Sequence, residues 1–247
     1  MEESDFNELI KEAEQGNADA QLELGVMYSK GEGVEQDYTK AFEWYTKSAE
    51  QGNAAAQRNL GVMYSKGDGV EQDYTKAFEW YTKAAEQGND EAQNSLGVMY
   101  CEGNGVEQNY TKALEWYTKA AEQGNADAQH NIGVRYCTGE GVEQNYTKAS
   151  EWFEKAAEQG YQISQFNLGV LYYTGEGVKQ NYKEAFEWFT KSAEQGNANA
   201  QYDLGLMYYS GKGVKQNYKK AIEWYTKAAV QGNVDAITVL KRMRKWK

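Results

Sequence analysis

The sequence has no proline, two cysteines and one histidine, and each scarcity excludes something. Two cysteines make no disulfide framework. One histidine with two isolated cysteines makes no metal ligand set, so no metal or other cofactor is expected. No apolar run approaches the roughly 20 residues of a membrane span. A basic surplus is missing too. The net charge is −11, and five positive charges crowd the last seven residues as Lys241, Arg242, Arg244, Lys245 and Lys247. Without them the first 240 residues carry −16. Such a body repels phosphate backbones and anionic membrane surfaces, which argues against nucleic acid as a partner. The acidic start, Met1-Glu2-Glu3-Ser4-Asp5, lacks the basic flank of a signal peptide. The expected location is the cytoplasm, with the periplasm or secretion as the alternative if a signal has been removed.

What the chain has in excess is glycine, 25 residues, and tyrosine, 20 against 7 phenylalanines. Such bias points to one short unit copied many times. Asn17-Ala18-Asp19-Ala20-Gln21 returns from Asn53, Asn89, Asn125, Tyr161 and Asn197, always 36 residues on. Six repeats therefore run 17–52, 53–88, 89–124, 125–160, 161–196 and 197–232. Residues 1–16 read as the second half of a repeat and 233–247 as the first half of another, and no linker or second domain is left over.

Each repeat reads as two helices. Asn17 caps the first, with Asp19 in its favourable first turn, and Gly31 stands where a left-handed residue would end it. Ala20, Leu24, Gly25 and Tyr28 form a helical stripe in which Gly25 lets helix backbones approach. Val34 in the connection is expected to tuck into the core. Asp37 or Asn caps the second helix, whose inner stripe holds Ala41, Trp44, Tyr45, Ser48 and Ala49. One helix pair cannot bury Trp44 and Tyr45 alone, whereas stacked pairs bury both. Glu43 and Lys47, repeated through Glu223 and Lys227, are spaced for surface ion pairs. The expected fold is all-α: a right-handed superhelical α/α solenoid of six helix-pair repeats with a capping half-repeat at each end.

Leu24-Gly25-Val26-Met27-Tyr28, followed by Ala41 and Tyr45, resembles the tetratricopeptide repeat. The 36-residue period, the loop Gly31-Glu32-Gly33-Val34 and the stretch Asp37-Tyr38-Thr39-Lys40-Ala41-Phe42-Glu43-Trp44-Tyr45 resemble the Sel-one-like repeat family more closely. That resemblance implies an adaptor or scaffold. The family's members include degradation-complex subunits in eukaryotes and signalling, virulence, cysteine-rich secreted and toxin-neutralising proteins in bacteria. The chain lacks the cysteine pairs of the cysteine-rich branch and the loop proline common in the family, since Glu35 follows Val34.

By the same resemblance the first helices line a concave groove. Positions equal in every repeat solve a shared packing problem, and those that vary can suit a ligand. The position of Leu22 reads Leu22, Arg58, Asn94, His130, Phe166, Tyr202. That of Ser29 reads Ser29, Ser65, Cys101, Cys137, Tyr173, Tyr209. The groove is thus polar at Arg58 and Asn94, bordered by His130, and aromatic at Phe166, Tyr173, Tyr202 and Tyr209, with Ile163 beside them. Phe166 is expected next to Tyr202, and Tyr173 next to Tyr209. Aromatic surface of this kind is a binding hot spot or the filling of a tighter curve. Its expected occupant is a peptide or protein, basic if the acidic groove edges steer it, or a second copy of the chain. Otherwise the protein is a monomer.

Catalysis is not expected. His130 lies beside no matched serine or aspartate in sequence, and Cys137 is two helical turns away at ~1.5 Å rise per residue. Cys101 and Cys137 hold one position in adjacent repeats, whose helix axes lie ~8–10 Å apart, beyond the ~7 Å that a disulfide spans between Cα atoms. Free thiols are expected. The function this leaves is a non-catalytic interaction scaffold or adaptor, the alternative being an inhibitor that occludes a toxin or enzyme.

Overall fold

The structure, a computed structural model, describes residues 3–244 and the side chains of residues 5–243. Of the basic terminus, Lys245, Lys247 and the side chain of Arg244 lie outside the described residues. Fourteen α-helices and no strands occur among the described residues. The protein is an all-α solenoid of helix-pair repeats.

The chain divides into two compact units, 1–125 and 126–247. The first holds α1 (Glu3–Glu14), α2 (Ala18–Lys30), α3 (Tyr38–Glu50), α4 (Ala54–Lys66), α5 (Tyr74–Glu86), α6 (Asp90–Glu102) and α7 (Tyr110–Glu122). The second holds α8 (Ala126–Thr138), α9 (Tyr146–Glu158), α10 (Gln162–Thr174), α11 (Tyr182–Glu194), α12 (Ala198–Ser210), α13 (Tyr218–Val230) and α14 (Val234–Arg244). Even-numbered helices open a repeat and odd-numbered ones close it. Within each unit every helix packs on its neighbours in the chain.

The helix ends follow the sequence signals. Asn17 Oδ1 accepts from the amides of Asp19 and Ala20 at 3.0 and 3.1 Å, two donors that the helix leaves unpaired. Gly31 ends α2 at φ +73°, its amide donating to the Met27 carbonyl at 2.8 Å. Asp37 Oδ1 accepts from Lys40 N at 3.0 Å and opens α3. Val34 packs half-buried on the cluster of Ala13, Ala20, Leu24 and Met27.

A glutamine that the sequence repeats without explanation stitches the stack. Gln57 is buried; its Nε2 donates to the Ala49 carbonyl of the preceding helix at 3.1 Å, and its Oε1 accepts from Gln87 Nε2 at 2.7 Å. Gln21, Gln93, Gln165 and Gln201 repeat both bonds. Each satisfies a carbonyl at a helix C-terminus where water cannot reach.

Three packing expectations need correction. Tyr45 or its equivalent is buried in every repeat, while Trp44 and Trp80 are only half-buried and Trp188 is buried at 9% exposure. Gly25 and Gly61 make room for that ring rather than for a helix backbone: a Cβ on Gly61 would lie 2.6 Å from Tyr81 Cδ1. Lys47 does not reach Glu43. Its Nζ sits 4.0 Å from the centre of the Trp44 ring, and Lys83, Lys119, Lys155, Lys191 and Lys227 cover their own tryptophans in the same way. An indole face holds an ammonium without stripping its water, and a half-exposed tryptophan gains cover.

Candidate functional site

The glycine of each first helix decides what the space between successive first helices looks like. Because the second helix's ring lies across that glycine, its far edge comes out on the other side, at the Ser29 position. Tyr45 Oη is 3.1 Å from Ser29 Oγ, and Tyr117 Oη donates to Cys101 Sγ at 3.6 Å. These rings floor clefts between neighbouring first helices. In the first unit a cavity of about 300 Å³ is lined by Ser65, Tyr81, Asn94, Ser95 and Glu102 among others. In the second, one of about 590 Å³ is lined by Leu206, Tyr209, Tyr225, Val239, Arg242 and Met243. The first is mixed, with Val98 and Met99 beside its polar groups, and the second is apolar with one cation.

The expected site residues divide between the two units. Arg58 and Asn94 belong to the first. Arg58 Nη2 pairs with Glu91 at 2.8 Å and Nη1 donates to Asn59 at 3.1 Å, so its charge is neutralised across the cleft. Asn94 is half-buried in the cleft wall.

In the second unit the aromatic residues pair mainly within repeats. Phe166 leans on Phe189 with centroids 5.8 Å apart, and Tyr202 on Tyr225 at 5.7 Å. Tyr173 packs on Tyr182 at 5.1 Å and Phe189 at 6.5 Å, and its hydroxyl accepts from Lys212 Nζ at 3.2 Å. Tyr209 meets Tyr218 at 5.2 Å. The expected pairs Phe166–Tyr202 and Tyr173–Tyr209 do not form; each ring turns down onto its own second helix. Phe166, Tyr173 and Tyr202 are accordingly half-buried, whereas Ile163 and Tyr209 each stay 46% exposed.

His130 does have a serine beside it, contrary to the expectation from sequence. Its Nδ1 lies 2.9 Å from Ser164 Oγ, and its ring is wedged between Phe153 and Tyr161 at 5.5 and 5.1 Å. Tyr161 and Ser164 replace the asparagine and alanine of the other repeats, so three departures from the pattern meet at one place. Ser164 is 0% exposed, which denies it any substrate. Burial pulls the imidazole down to about 4, partly opposed by Asp127, so it is neutral at pH 7. In repeat six, burial and then the neighbouring Asp235 push the Asp203 carboxyl up to about 6.

Cys101 and Cys137 are free and half-buried, and burial pushes the Cys137 thiol up. No group of three or more potential metal ligands occurs among the described residues. No described helix is long and apolar enough to cross a membrane. Sequence reading placed Tyr225 in the core, where it lies 1% exposed, and did not single out Leu206, Val239, Arg242 and Met243, which line the cavity beside it. The available signal was the loss of polar residues at the positions next to the Tyr225 ring.

Helix pairs stacked in register, each glycine receiving a ring from the next helix, define a helix-pair repeat solenoid. The Sel1 repeat matches residues 18–53, 54–89, 90–125, 126–161, 162–197 and 198–233, one residue later than the periodicity sets them. The chain belongs to the Sel1 repeat family. It is similar to a protective antigen of uropathogenic Escherichia coli with the SLR fold, at 43% identity and a TM-score of 0.90 over 94% of this chain. The chain spans 50% of that antigen's length. A Sel1 repeat protein of Oxalobacter formigenes is 38% identical, with a TM-score of 0.78, over 87% of this chain and 86% of its own. The immunity protein Pa5087 of Pseudomonas aeruginosa is 25% identical, with a TM-score of 0.54, over 89% and 83%. No curated protein matches the chain.

Proposed function

We propose that this protein is a non-catalytic interaction scaffold that binds a peptide or protein partner along its first-helix face. The observation that carries the reading is the division of labour among positions. Invariant residues are consumed by packing, as the glycine and glutamine positions are. Variable ones reach the clefts, and two large apolar side chains among them, Ile163 and Tyr209, stay 46% exposed. Exposed apolar surface set among half-buried rings is what a partner covers. We propose the cytoplasm as its location, with the periplasm or secretion as the alternative if a signal has been removed.

The test uses the full chain. A partner taken by affinity capture is purified and its Kd measured against the parent and against an Ile163→Asp, Tyr209→Ala variant. These side chains are the exposed ones, so helicity should hold while binding weakens by roughly tenfold or more. Arg58→Ala in the polar cleft should change mainly the salt-dependent association rate. A partner that binds the double variant as tightly as the parent would move the site to another face.

The likeness to the immunity protein Pa5087 supports a second reading, an inhibitor that occludes a toxin or enzyme. The captured partner's own activity separates the two: a stoichiometric loss on adding this protein favours the inhibitor, and unchanged activity favours the scaffold.

A further inference from the structure

The ring that floors each cleft carries a hydroxyl in some repeats and not in others, and its surroundings explain all but one case. Tyr45 has Ser29 and Asn59 around its hydroxyl. Tyr81 has Ser65 and Ser95, and Tyr117 has Cys101. Repeats four and five hold Phe153 and Phe189 instead, so the fold does not require a hydroxyl here. Repeat six breaks the pattern. Its ring is Tyr225, 1% exposed, but the positions of Ser29 and Asn59 hold Tyr209 and Val239. The Tyr225 hydroxyl has no hydrogen-bond partner among the described residues.

The ring is buried, but its hydroxyl opens onto the cavity instead of onto a protein partner, which leaves it free to donate to a ligand. The cavity, of about 590 Å³, lies between α12, α13 and α14. That volume falls within the roughly 300–1,000 Å³ of ligand pockets and holds an aromatic or long aliphatic side chain with part of its backbone. Leu206, Val239 and Met243 supply apolar walls, and Arg242 stands on the rim. Arg242 is exposed and forms no ion pair among the described residues, and Lys241 beside it is exposed as well. These two cations stand at the outer rim, while Asp203 acts on the Tyr225 hydroxyl at the inner end and Asp235 on Asp203.

We propose that this cavity is an anchor pocket for an extended peptide: it takes a bulky apolar side chain, Tyr225 donates its hydroxyl to a peptide carbonyl, and Arg242 pairs with an adjacent carboxylate. The proposal rests on the interaction-scaffold reading and adds the partner's chemistry, apolar next to acidic, the reverse of the basic partner that the overall charge suggests.

Panning the full-length protein against a phage-displayed random-peptide library tests it. Enriched peptides, synthesised with a fluorophore, are titrated by anisotropy against the parent, Tyr225→Phe and Arg242→Glu. The phenylalanine variant keeps the ring that repeats four and five already use, and Arg242 is exposed, so both should fold. Enriched peptides should place Asp or Glu beside a large apolar residue. Tyr225→Phe should weaken them by about fivefold to tenfold, the worth of one hydrogen bond to a buried donor. Arg242→Glu should weaken them by roughly tenfold, with lysine-for-carboxylate peptides recovering affinity. Enriched peptides that are basic, or that ignore both changes, overturn the pocket. If they ignore both yet weaken with Ile163→Asp, the scaffold reading stands and only the pocket falls. If no peptide is enriched and no partner is captured, both fall. A parent that dimerises, and loses the dimer on either pocket change, makes a second copy the occupant and overturns the peptide.

Discussion

The ring of Tyr81 lies directly across Gly61, so close that a methyl group added to the glycine would stand 2.6 Å from Tyr81 Cδ1. The same pairing recurs between Gly133 and Phe153 and between Gly169 and Phe189. It turns a helix-weakening residue into a structural necessity. Glycine inside a helix costs about 1 kcal/mol relative to alanine, yet the first helix of each of the six repeats keeps one here.

Gly61→Ala should therefore reverse the usual sign. Instead of gaining about 1 kcal/mol of helix propensity, the protein should lose about 1–3 kcal/mol as the Tyr81 ring is forced from its seat. Urea unfolding checks this. A variant as stable as the parent would mean the ring moves aside freely.

Tyr81→Ala should be worse than Trp80→Ala, although tryptophan is the larger residue. Tyr81 is 5% exposed and sits in the core with Leu96 and Met99, so its loss should cost about 3–5 kcal/mol. Trp80 is half-buried under Lys83, and its loss should cost about 1–2 kcal/mol through area and cation–π contact. Thermal unfolding of the two variants ranks them, and the opposite order would refute the assignment of the buried face.

Much of this fold was legible because it is written six times. Asn17, Gly31 and Asp37 act through local backbone geometry, so the sequence alone places them. The role of Gly25 depends on a ring twenty residues away, and period and composition fit a backbone contact equally well. Trp44 and Tyr45 are adjacent on one stripe, and only the helix's rotation decides which one goes under. The variable positions of Leu22 and Ser29 do point at the clefts. What escaped was that Phe166 and Tyr202 spend much of their surface on Phe189 and Tyr225 below them. Hidden for the same reason was Ser164, which meets His130 from a position read as plain helix core.

Two buried groups of the second unit should hide each other in the pH dependence of stability. His130 is held at about 4 in the fold against 6.5 when free. Between those values the unfolded chain takes the proton first, so stability present above pH 6.5 drains away as pH falls to 4. Asp203 is held at about 6 against 3.8 when free. Here the folded chain takes the proton first, so its contribution is full below 3.8 and is lost as pH rises through 6. The windows overlap and the signs oppose, each on the order of 3 kcal/mol. His130→Asn and Asp203→Asn use side chains that Asn94 and Asn167 already supply at these positions, so both should fold. Against the parent, which cancels the background of other carboxylates, His130→Asn should gain stability from pH 6.5 to 4. Asp203→Asn should lose it over the same range. Urea midpoints at several pH values between 7 and 4 read the difference directly. Parallel profiles for all three proteins would mean that neither group titrates differently in the folded and unfolded chains.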